Sequence, residues 1–331
     1  MSLENQLKFS SSVVYLTFAL LFLCAPSCPA QESLNASQLI EASNAASDIS
    51  KLTSFRLQAQ VVVQSARGEA TGTLTVEHDK DNTRQELEFT DYDEIALIRG
   101  DTRSLLRKPV IPMYVAERIR DFQRLWQVKV SKDAEISGVS ETKIRGVQEL
   151  CFTVKPDKDT RIRHCFDRAT HLLVSTESAF DRWTMETLFL DYQRIGDVQY
   201  PTTVRFVEPD RPSMEVRKIT VANQNFDATR FAPLPGAREF QTCHDEQPPK
   251  LVHRVDPAYP QMARMAKIQG EVRLLVVVGD DGKTHDIHAI SGHPILTQAA
   301  MDAVREWKYT PATCASGPIN VETLVWVGFH L

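Results

Sequence analysis

The sequence lacks the positive charge that binding to nucleic acid requires. Its 331 residues carry 38 Lys and Arg against 43 Asp and Glu, a formal net charge of −5. Nucleic-acid-binding domains are basic, so we expect no nucleic-acid partner. The last 84 residues, from Pro248 onwards, hold eight basic and eight acidic side chains, so the average does not hide a basic patch there.

A membrane-length apolar run and a proline-rich spacer are also missing. The run Val13–Ala25 has 13 residues, whereas a helix that spans a bilayer needs about 20. The small residues of Cys28–Ala30 offer a cleavage site. We interpret residues 1–30 as a signal peptide that is cleaved near Ala30, so that the mature chain is exported from the cytoplasm. The alternative is an inner-membrane anchor through residues 9–25.

Motifs that would indicate an enzyme are absent as well. The sequence has no Gly-x-Ser-x-Gly nucleophile elbow. The segment Gly279–Thr284 ends like a phosphate-binding loop, but Val277 stands where such a loop needs its first glycine. His285 and His288 are three residues apart on a predicted strand, so they point to opposite faces and do not share a metal ion. We therefore expect a binding protein rather than an enzyme, with no cofactor and no metal.

Four cysteines remain after the signal segment: Cys151, Cys165, Cys243 and Cys314. An even number in an exported chain indicates disulfides, and three pairings are possible. The residues from Cys151 to Cys165 have the pattern of one hairpin centred on Lys158, which places the two cysteines opposite each other at a distance that a disulfide tolerates. We predict the pairs Cys151–Cys165 and Cys243–Cys314. Zinc binding around Cys243 and Cys314 is an alternative that lacks the usual paired-cysteine spacing.

Residues 31–235 have the pattern of an antiparallel sheet domain with covering helices. Apolar residues three and four apart predict a helix within residues 31–53. From residue 54 to about 225 the apolar period changes to two, which predicts sequential hairpins. A helix over Pro112–Gln127 interrupts them and must cover a face of the sheet. The runs predicted as strands are Phe55–Val61, Ala70–His78, Arg84–Thr90, Ile95–Arg99, Leu150–Val154, Ile162–Phe166, Leu172–Glu177, Thr187–Arg194, Thr202–Val207 and Glu215–Ala222.

Residues 251–331 follow a predicted linker, residues 236–250, and have a separate α+β pattern. The predicted elements are a helix Pro260–Lys267, strands Glu271–Val278 and His285–Ser291, a helix Pro294–Tyr309 and a strand Ile319–Leu331. In the first helix, Met262, Met265 and Ala266 are expected to face the core. The predicted fold class of the chain is α+β: an antiparallel, half-barrel-like sheet domain with covering helices, then a small domain of three antiparallel strands and two helices.

A set of spaced motifs runs through this C-terminal region. They are Pro257-x-Tyr259-Pro260, Ala263-Arg264, Gln269-Gly270-x-Val272, Asp281-Gly282, Ser291-Gly292-His293, Ala299-Ala300, Ala303-Val304-Arg305-x-Trp307-x-Tyr309-x-Pro311 and Gly317-Pro318-x-x-Val321. Together they resemble the C-terminal domain of the TonB family, over about a quarter of the chain. The resemblance implies a periplasmic domain that binds an extended segment of an outer-membrane receptor or other envelope protein by strand addition.

By this resemblance the last strand, Ile319–Leu331, is the recognition edge, with segment 255–259 beside it. The residues expected to bind the partner are Asp256, Tyr259, Asn320, Glu322, Leu324, Trp326 and Gly328. The alternative is that another domain or a second copy of the chain covers this strand. The short apolar run and the missing spacer depart from the family's full energy transducers, so docking is expected more firmly than the transmission of force.

Residues 31–235 resemble the LolA/LppX lipoprotein-carrier superfamily. The features that carry this resemblance are a leading helix, Leu52-Thr53-Ser54-Phe55, a run of hairpins, a lid-like helix, Tyr200-Pro201-Thr202-Thr203-Val204-Arg205 and Asn223-x-Asn225-Phe226. It implies a half-barrel around an apolar cavity. The alternative function is therefore a carrier of a lipid or acyl chain that uses the C-terminal domain for targeting. An antiparallel sheet with a filled core is the other alternative.

Overall fold

A computed structural model of the chain describes residues 34–65, 68–109, 114–120, 122–131, 133–180, 183–209, 213–243 and 246–331. The predicted signal peptide, residues 1–30, lies outside these ranges. Residues 35–331 form one compact unit. Within the described ranges, no helix has both the length and the apolar character that crossing a membrane requires.

Fourteen antiparallel strands of the first part form one sheet. They are β1 Ser54–Ser65, β2 Gly68–Asp79, β3 Asn82–Phe89, β4 Tyr92–Arg99, β5 Thr102–Lys108, β6 Glu135–Ile136, β7 Ser140–Ile144, β8 Val147–Lys155, β9 Thr160–Asp167, β10 Leu173–Phe180, β11 Trp183–Ile195, β12 Val198–Val207, β13 Ser213–Asn223 and β14 Arg238–Gln241. Their order is β14-β5-β4-β3-β2-β1-β13-β12-β11-β10-β9-β8-β6, and β7 also pairs with β8. Most neighbours are consecutive hairpins, as the apolar period of two predicts.

Each strand predicted in this part overlaps an observed strand, but some observed strands have no counterpart in the prediction. Among these are β5, β7 and β14. In β5 the adjacent residues Ser104 and Leu105 are both buried, so the strand shows no simple alternation. The strand β14 lies inside the predicted linker, residues 236–250, and forms by pairing with β5. This polar segment is therefore part of the large sheet.

The first helix is shorter than predicted because two caps divide the segment. Helix α1 spans Ala36–Ser47. It starts with a capping box in which the side chains of Asn35 and Gln38 each accept a hydrogen bond from the other's backbone, at 3.0 Å. Asp48 ends the helix in an extended conformation and caps a separate 3₁₀ turn, Ile49–Lys51.

The prediction of one continuous helix over Pro112–Gln127 is wrong. In the described residues this segment forms α2, Tyr114–Arg118, and a 3₁₀ turn, Phe122–Arg124. Its apolar face is nevertheless correct, because the residues on it are at most 1% exposed: Val115, Ile119, Phe122 and Trp126. The short helix α2, the 3₁₀ turn and the residues that follow each of them bury all four side chains, so apolar spacing alone does not require an unbroken helix.

The C-terminal part has two helices, α3 Gln261–Met265 and α4 Pro294–Arg305, and a three-stranded antiparallel sheet. The strands of this part are β15 Lys250–His253, β16 Gly270–Val278, β17 Thr284–Ser291, β18 Lys308–Thr310, β19 Ala312–Cys314, β20 Gly317–Ile319 and β21 Val321–Phe329. The main sheet has the order β17-β16-β21, while β15 pairs with β18 and β19 pairs with β20. The two small pairs have no counterpart in the sequence-based prediction.

One face of this small sheet packs under the helices. The buried cluster consists of Ala263, Val272, Leu274, Val276, Leu296, Ala300, Val304, Trp307, Val325, Val327 and Phe329. Helix α3 contributes only Ala263. Met262 and Met265 are 72% and 77% exposed, and Ala266 is exposed too. The prediction that these three face the core is wrong, because a helix of five residues presents only one position to the sheet.

Both predicted disulfides are present. Cys151 and Cys165 lie opposite each other in the β8–β9 pair, with a Cα distance of 4.2 Å. Cys243 and Cys314, with a Cα distance of 5.9 Å, join the segment after β14 to β19. Beside this second bridge, two backbone hydrogen bonds of 2.9 and 3.1 Å connect Gln247 and Thr313.

We expect loss of the second bridge to destabilise the protein more than loss of the first. The bridged residues are 14 and 71 positions apart, so the chain-entropy model assigns about 3 kcal/mol to Cys151–Cys165 and about 4.4 kcal/mol to Cys243–Cys314. Urea unfolding of the two matched double Cys→Ser variants measures both losses. Equal losses, or the reverse order, would contradict this assignment.

Burial of His164 predicts a loss of stability in acid. The imidazole on β9 is 7% exposed and packs against Phe152, and burial lowers its pKa from 6.5 to about 4. Because the folded-state pKa is lowered, only the unfolded chain binds the proton between these values. The free energy of unfolding should therefore fall by about 3 kcal/mol as the pH drops from 6.5 to 4. Chemical denaturation between pH 4 and 6.5 should show that the free energy of unfolding depends less on pH in His164→Gln than in the unaltered protein. The same pH dependence in both proteins would exclude His164 as the cause.

Candidate functional site

Strand β21 leaves one edge of the small sheet open. It pairs with β16 in unbroken register, from Gly270 opposite Phe329 to Val278 opposite Val321. Among the residues that the structure describes, no strand pairs with its outer edge. This edge therefore presents a row of backbone N–H and C=O groups that no described strand pairs with.

The alternation of side chains determines which face of β21 meets the core. Val325, Val327 and Phe329 are at most 7% exposed and pack in the buried cluster under the helices. The residues that alternate with them on the opposite face are Glu322, Leu324, Trp326 and Gly328. A slip of one residue would exchange the two sets, so burial of one set fixes the register of the strand.

Trp326 lies on an exposed part of that opposite face. Its side chain is 48% exposed, and it stands opposite Arg273 of β16, whose guanidinium carbon is 5.7 Å from the ring centroid. At Gly328, an added Cβ would meet the His330 ring at 2.9 Å. A large aromatic group beside an open edge offers a contact for the side chains of a bound segment.

Glu322 lies on the same face but is buried by another part of the chain. The Nη1 and Nη2 groups of Arg107, on β5, donate to its two carboxylate oxygens at 2.9 Å each. These two side chains are 7% and 6% exposed. Arg107 Nε also donates to Glu94 of β4, and the Tyr92 hydroxyl donates to the same carboxylate at 2.9 Å.

The electrostatics of this cluster keep Arg107 charged. Burial disfavours the cationic form, but the hydrogen bonds and charges of Glu322 and Glu94 outweigh burial and raise the pKa of Arg107 above its ordinary value. Two buried carboxylates therefore share one permanent cation.

An apolar contact continues the cluster on β16. Val277 is the cross-strand neighbour of Glu322. The residues buried with Val277 are Ala96 of β4, Leu105 of β5 and Phe240 of β14. At its border, Arg238 lies 3.3 Å from Asp286 of β17. We call the contact of β4, β5 and β14 with this end of the small sheet the junction.

Two predicted partner-binding residues lie away from the exposed face of β21. The Asn320 side-chain oxygen accepts a hydrogen bond from the Asp280 amide at 3.0 Å, which ties the start of β21 to the neighbouring hairpin turn. The Asp256 side chain is 89% exposed and lies 3.4 Å from Arg254. The first has a structural partner, and the second remains accessible to solvent.

Tyr259 lies at the far end of β21 and is partly buried in the domain. Its ring meets Phe329 edge-on, with centroids 5.6 Å apart, and its hydroxyl donates to the Ile268 carbonyl at 2.6 Å. Arg264 stands 5.5 Å from the ring centroid. The predicted residues are thus divided between the open face, the junction and the two ends of the strand.

Sequence reasoning missed Arg107 and Glu94, although Glu94 carried a usable signal. It lies between Tyr92 and Ala96 in the alternation of β4, and all three are buried. An ionised carboxylate at an inward position requires a buried cation or strong donors. The sequence does not indicate which of its arginines serves, because β5 itself was not predicted.

The first part of the chain contains a cavity of about 530 Å³ between α1, β1–β3 and the turn Phe122–Arg124. Its lining includes the polar residues Glu41, Asp48, His78, Gln123, Arg124 and Lys129. His78 stacks on Phe55 at 5.2 Å, and burial, with a smaller effect of Arg124, lowers its pKa. The volume suits a small ligand, and the lining combines these polar groups with the apolar Ala45, Ile49 and Phe55.

In the described residues, one group of possible metal ligands contains two cysteines that are joined in a disulfide. Oxygen and sulfur atoms of Glu149, Cys151 and Cys165 lie within 4.8 Å of one another. The two sulfurs form the disulfide, so they offer no thiolate to a metal. The Cys243–Cys314 bridge likewise removes the zinc alternative at those cysteines.

Comparison with known families gives a match for the C-terminal region. Residues 255–331 match the family described as Gram-negative bacterial TonB protein C-terminal. The chain is 34% identical over 71 residues to Protein TonB of Klebsiella aerogenes, which covers 21% of this chain and 29% of that protein. It is 28% identical over 111 residues to Protein TonB of Klebsiella pneumoniae, which covers 32% and 46%. The chain thus spans less than half the length of these relatives, and the likeness concerns the C-terminal region.

Solved structures are similar to the sheet-rich fold. A LolA superfamily protein of Nitrosomonas europaea has 8% identity and a TM-score of 0.44, with 61% of this chain and 99% of that chain covered. A domain of an outer membrane lipoprotein-sorting protein of Vibrio parahaemolyticus has 13% identity and the same TM-score, with 58% and 94% covered. Scores at this level assign no function to the chain.

The contacts of Tyr259 predict a structural role for its hydroxyl. Tyr259→Phe removes the hydrogen bond to Ile268 and should lower the free energy of unfolding by about 1 kcal/mol. Chemical denaturation measures this loss, and Tyr259→Leu, which also removes the contact with Phe329, should lose more. A Phe variant as stable as the unaltered protein would show that the hydroxyl does not stabilise the fold.

Proposed function

We propose that this protein is a docking component of the bacterial cell envelope. Its TonB-type domain binds an extended segment of an outer-membrane protein, which adds to the small sheet as a fourth strand beside β21. The single observation that carries this proposal is the open, regular outer edge of β21. Main-chain hydrogen bonds along such an edge supply affinity, and the flanking side chains supply selectivity.

The other edge strand, β17, is less suited to pairing with an added strand. Its pairing with β16 has two register shifts, and Asp286 within it has a left-handed φ of 44°. Bulges and kinks interrupt the row of backbone groups that an added strand needs. The unbroken register of β21 makes it the better docking edge.

The exposed face beside β21 supports side-chain recognition. Trp326 is the large exposed group there, and the His330 ring lies beside the neighbouring Gly328. A bound segment that pairs along the second half of β21 places alternate side chains against this surface. We assign the protein no catalytic step.

The disulfides support a location outside the cytoplasm. Cys151–Cys165 and Cys243–Cys314 both need an oxidising compartment to form and persist. Together with the predicted signal peptide, residues 1–30, they favour the periplasm, where the chain would meet outer-membrane partners. Coupling to an energy source is not part of the proposal.

The second function expected from the sequence, transport of a lipid or acyl chain, has weaker support. The lining of the cavity beside α1 is mixed, because polar side chains such as Glu41 and Arg124 lie among apolar ones such as Ile49 and Phe55. Acyl chains are held by apolar walls, so this observation does not favour a lipid carrier.

Proline substitutions along β21 test the docking edge. Backbone N–H groups of an antiparallel strand point alternately to one neighbouring strand and to the other side. Of the two variants Leu324→Pro and Val325→Pro, one therefore loses an N–H that bonds to β16, and the other loses an N–H that points outward. The first should destabilise the sheet, while the second should stay folded and lose binding. Binding of synthetic extended segments of outer-membrane receptors from the same bacterium, labelled for fluorescence anisotropy, measures affinity, and circular dichroism measures folding.

A Trp326→Ala variant provides the matched control for side-chain recognition. It keeps every backbone group of β21 and should bind these segments more weakly without losing binding altogether. The docking proposal would be wrong if the proline variant that stays folded bound these segments as tightly as the unaltered protein.

A further inference from the structure

The beginning and the end of β21 have different surroundings on their exposed side. At Trp326 the side chain is 48% exposed. At Glu322, four residues earlier on the same face, the side chain is only 6% exposed, because β5 covers it. The face of the docking strand is therefore open at Trp326 and covered at Glu322.

The covering group is rigidly held. Arg107 binds Glu322 through two hydrogen bonds of 2.9 Å and binds Glu94 through a third. A guanidinium held by two carboxylates has little freedom to move aside. Separation from Arg107 leaves the Glu322 carboxylate without this counter-ion, whereas Arg107 keeps its bond to Glu94.

An added strand would compete with this cluster. In an antiparallel pair, side chains of directly opposed residues on one face have Cβ atoms about 4.5–5.5 Å apart. A partner residue opposite Glu322 would thus reach the space that Arg107 and β5 occupy. A partner residue opposite Trp326 would meet an exposed side chain instead.

We propose that the Arg107–Glu322 contact is a latch that closes the first half of the docking edge. This inference rests on the proposed docking function of β21. While the latch is closed, a partner segment pairs only with the second half of the strand. Opening the latch exposes the whole edge. Binding of a full-length segment, meaning one long enough to pair with all of β21, therefore opposes closure of the latch. By linkage, a full-length segment that favours the open state also loosens the junction between the two parts of the chain.

Other bonds keep the latch local and reversible. The Cys243–Cys314 bridge and the two hydrogen bonds between Gln247 and Thr313 hold the chain segments behind the junction together. Loss of the Arg107–Glu322 pair does not break any of these bonds. The small domain therefore stays beside β5 and can close again.

Footprinting of the full mature chain tests the latch without a partner. Glu322→Gln removes the charge but preserves the size of the side chain, and hydroxyl-radical labelling should then increase at the buried junction residues Phe240 and Tyr92. Labelling of Trp307, in the core under α4, should stay unchanged, which separates opening from unfolding. The matched control is Glu186→Gln, which breaks the more exposed pair with Arg145.

Titration with the receptor segments described above tests the competition. Glu322→Gln should bind segments that span all of β21 about fivefold or more tightly, whereas segments limited to its second half should bind as before. Glu186→Gln should change neither affinity. If Glu322→Gln fails to fold, Arg107→Lys replaces the paired contact with a single one and should shift both measurements in the same direction.

Two results would overturn the latch. Unchanged labelling at the junction would show that the ion pair does not hold it closed. Increased labelling with unchanged affinity for full-length segments would show that the junction opens without affecting docking. If neither the unaltered protein nor any variant bound a segment, both the docking function and the latch would fail, whereas binding with the same affinity in all variants would refute the latch alone.

Discussion

The position of the C-terminal domain depends on a guanidinium that two buried carboxylates share. Arg107 joins Glu94, its neighbour in the large sheet, to Glu322 on the last strand of the small one. The apolar part of the junction is small, a cluster of four residues around Val277. Apolar contact is nondirectional and tolerates sliding, whereas a two-bonded guanidinium specifies distance and orientation. The ion cluster therefore sets where the open face of the small sheet lies, and with it which part of β21 is accessible.

The bonds behind the junction complement this arrangement. The chain passes from β14 through Cys243 and Gln247 before it enters the small domain, and both residues are bound to the loop around Cys314. A covalent bridge and backbone hydrogen bonds restrict the range of motion, while the ion cluster selects one orientation within that range. A domain held only by the cluster would be lost when it opened. A domain held on all sides would have no route to expose the first half of its edge.

Local patterns were enough to predict much of this structure, and the exceptions have a physical explanation. The hairpin from Cys151 to Cys165 and the alternation of Val325, Val327 and Phe329 are features of neighbouring residues. The pairing of Arg107 with Glu322 joins residues 215 positions apart and leaves no local trace. Strand β14 looked like polar linker because its β-structure comes from pairing with β5, and strand formation depends on such context more than on composition.

The accessible part of β21 faces a conflict between docking and self-association. An open, regular edge that receives a partner strand also receives the same edge of a second copy. Strand β17 is protected by its register shifts and by the kink at Asp286, but such distortion in β21 would remove the docking site. Covering the first half of β21 with Arg107 and β5 shortens the exposed edge without distorting it. In the proposed latch, the ion cluster thus keeps a regular strand for a partner while it reduces the length that two copies can share.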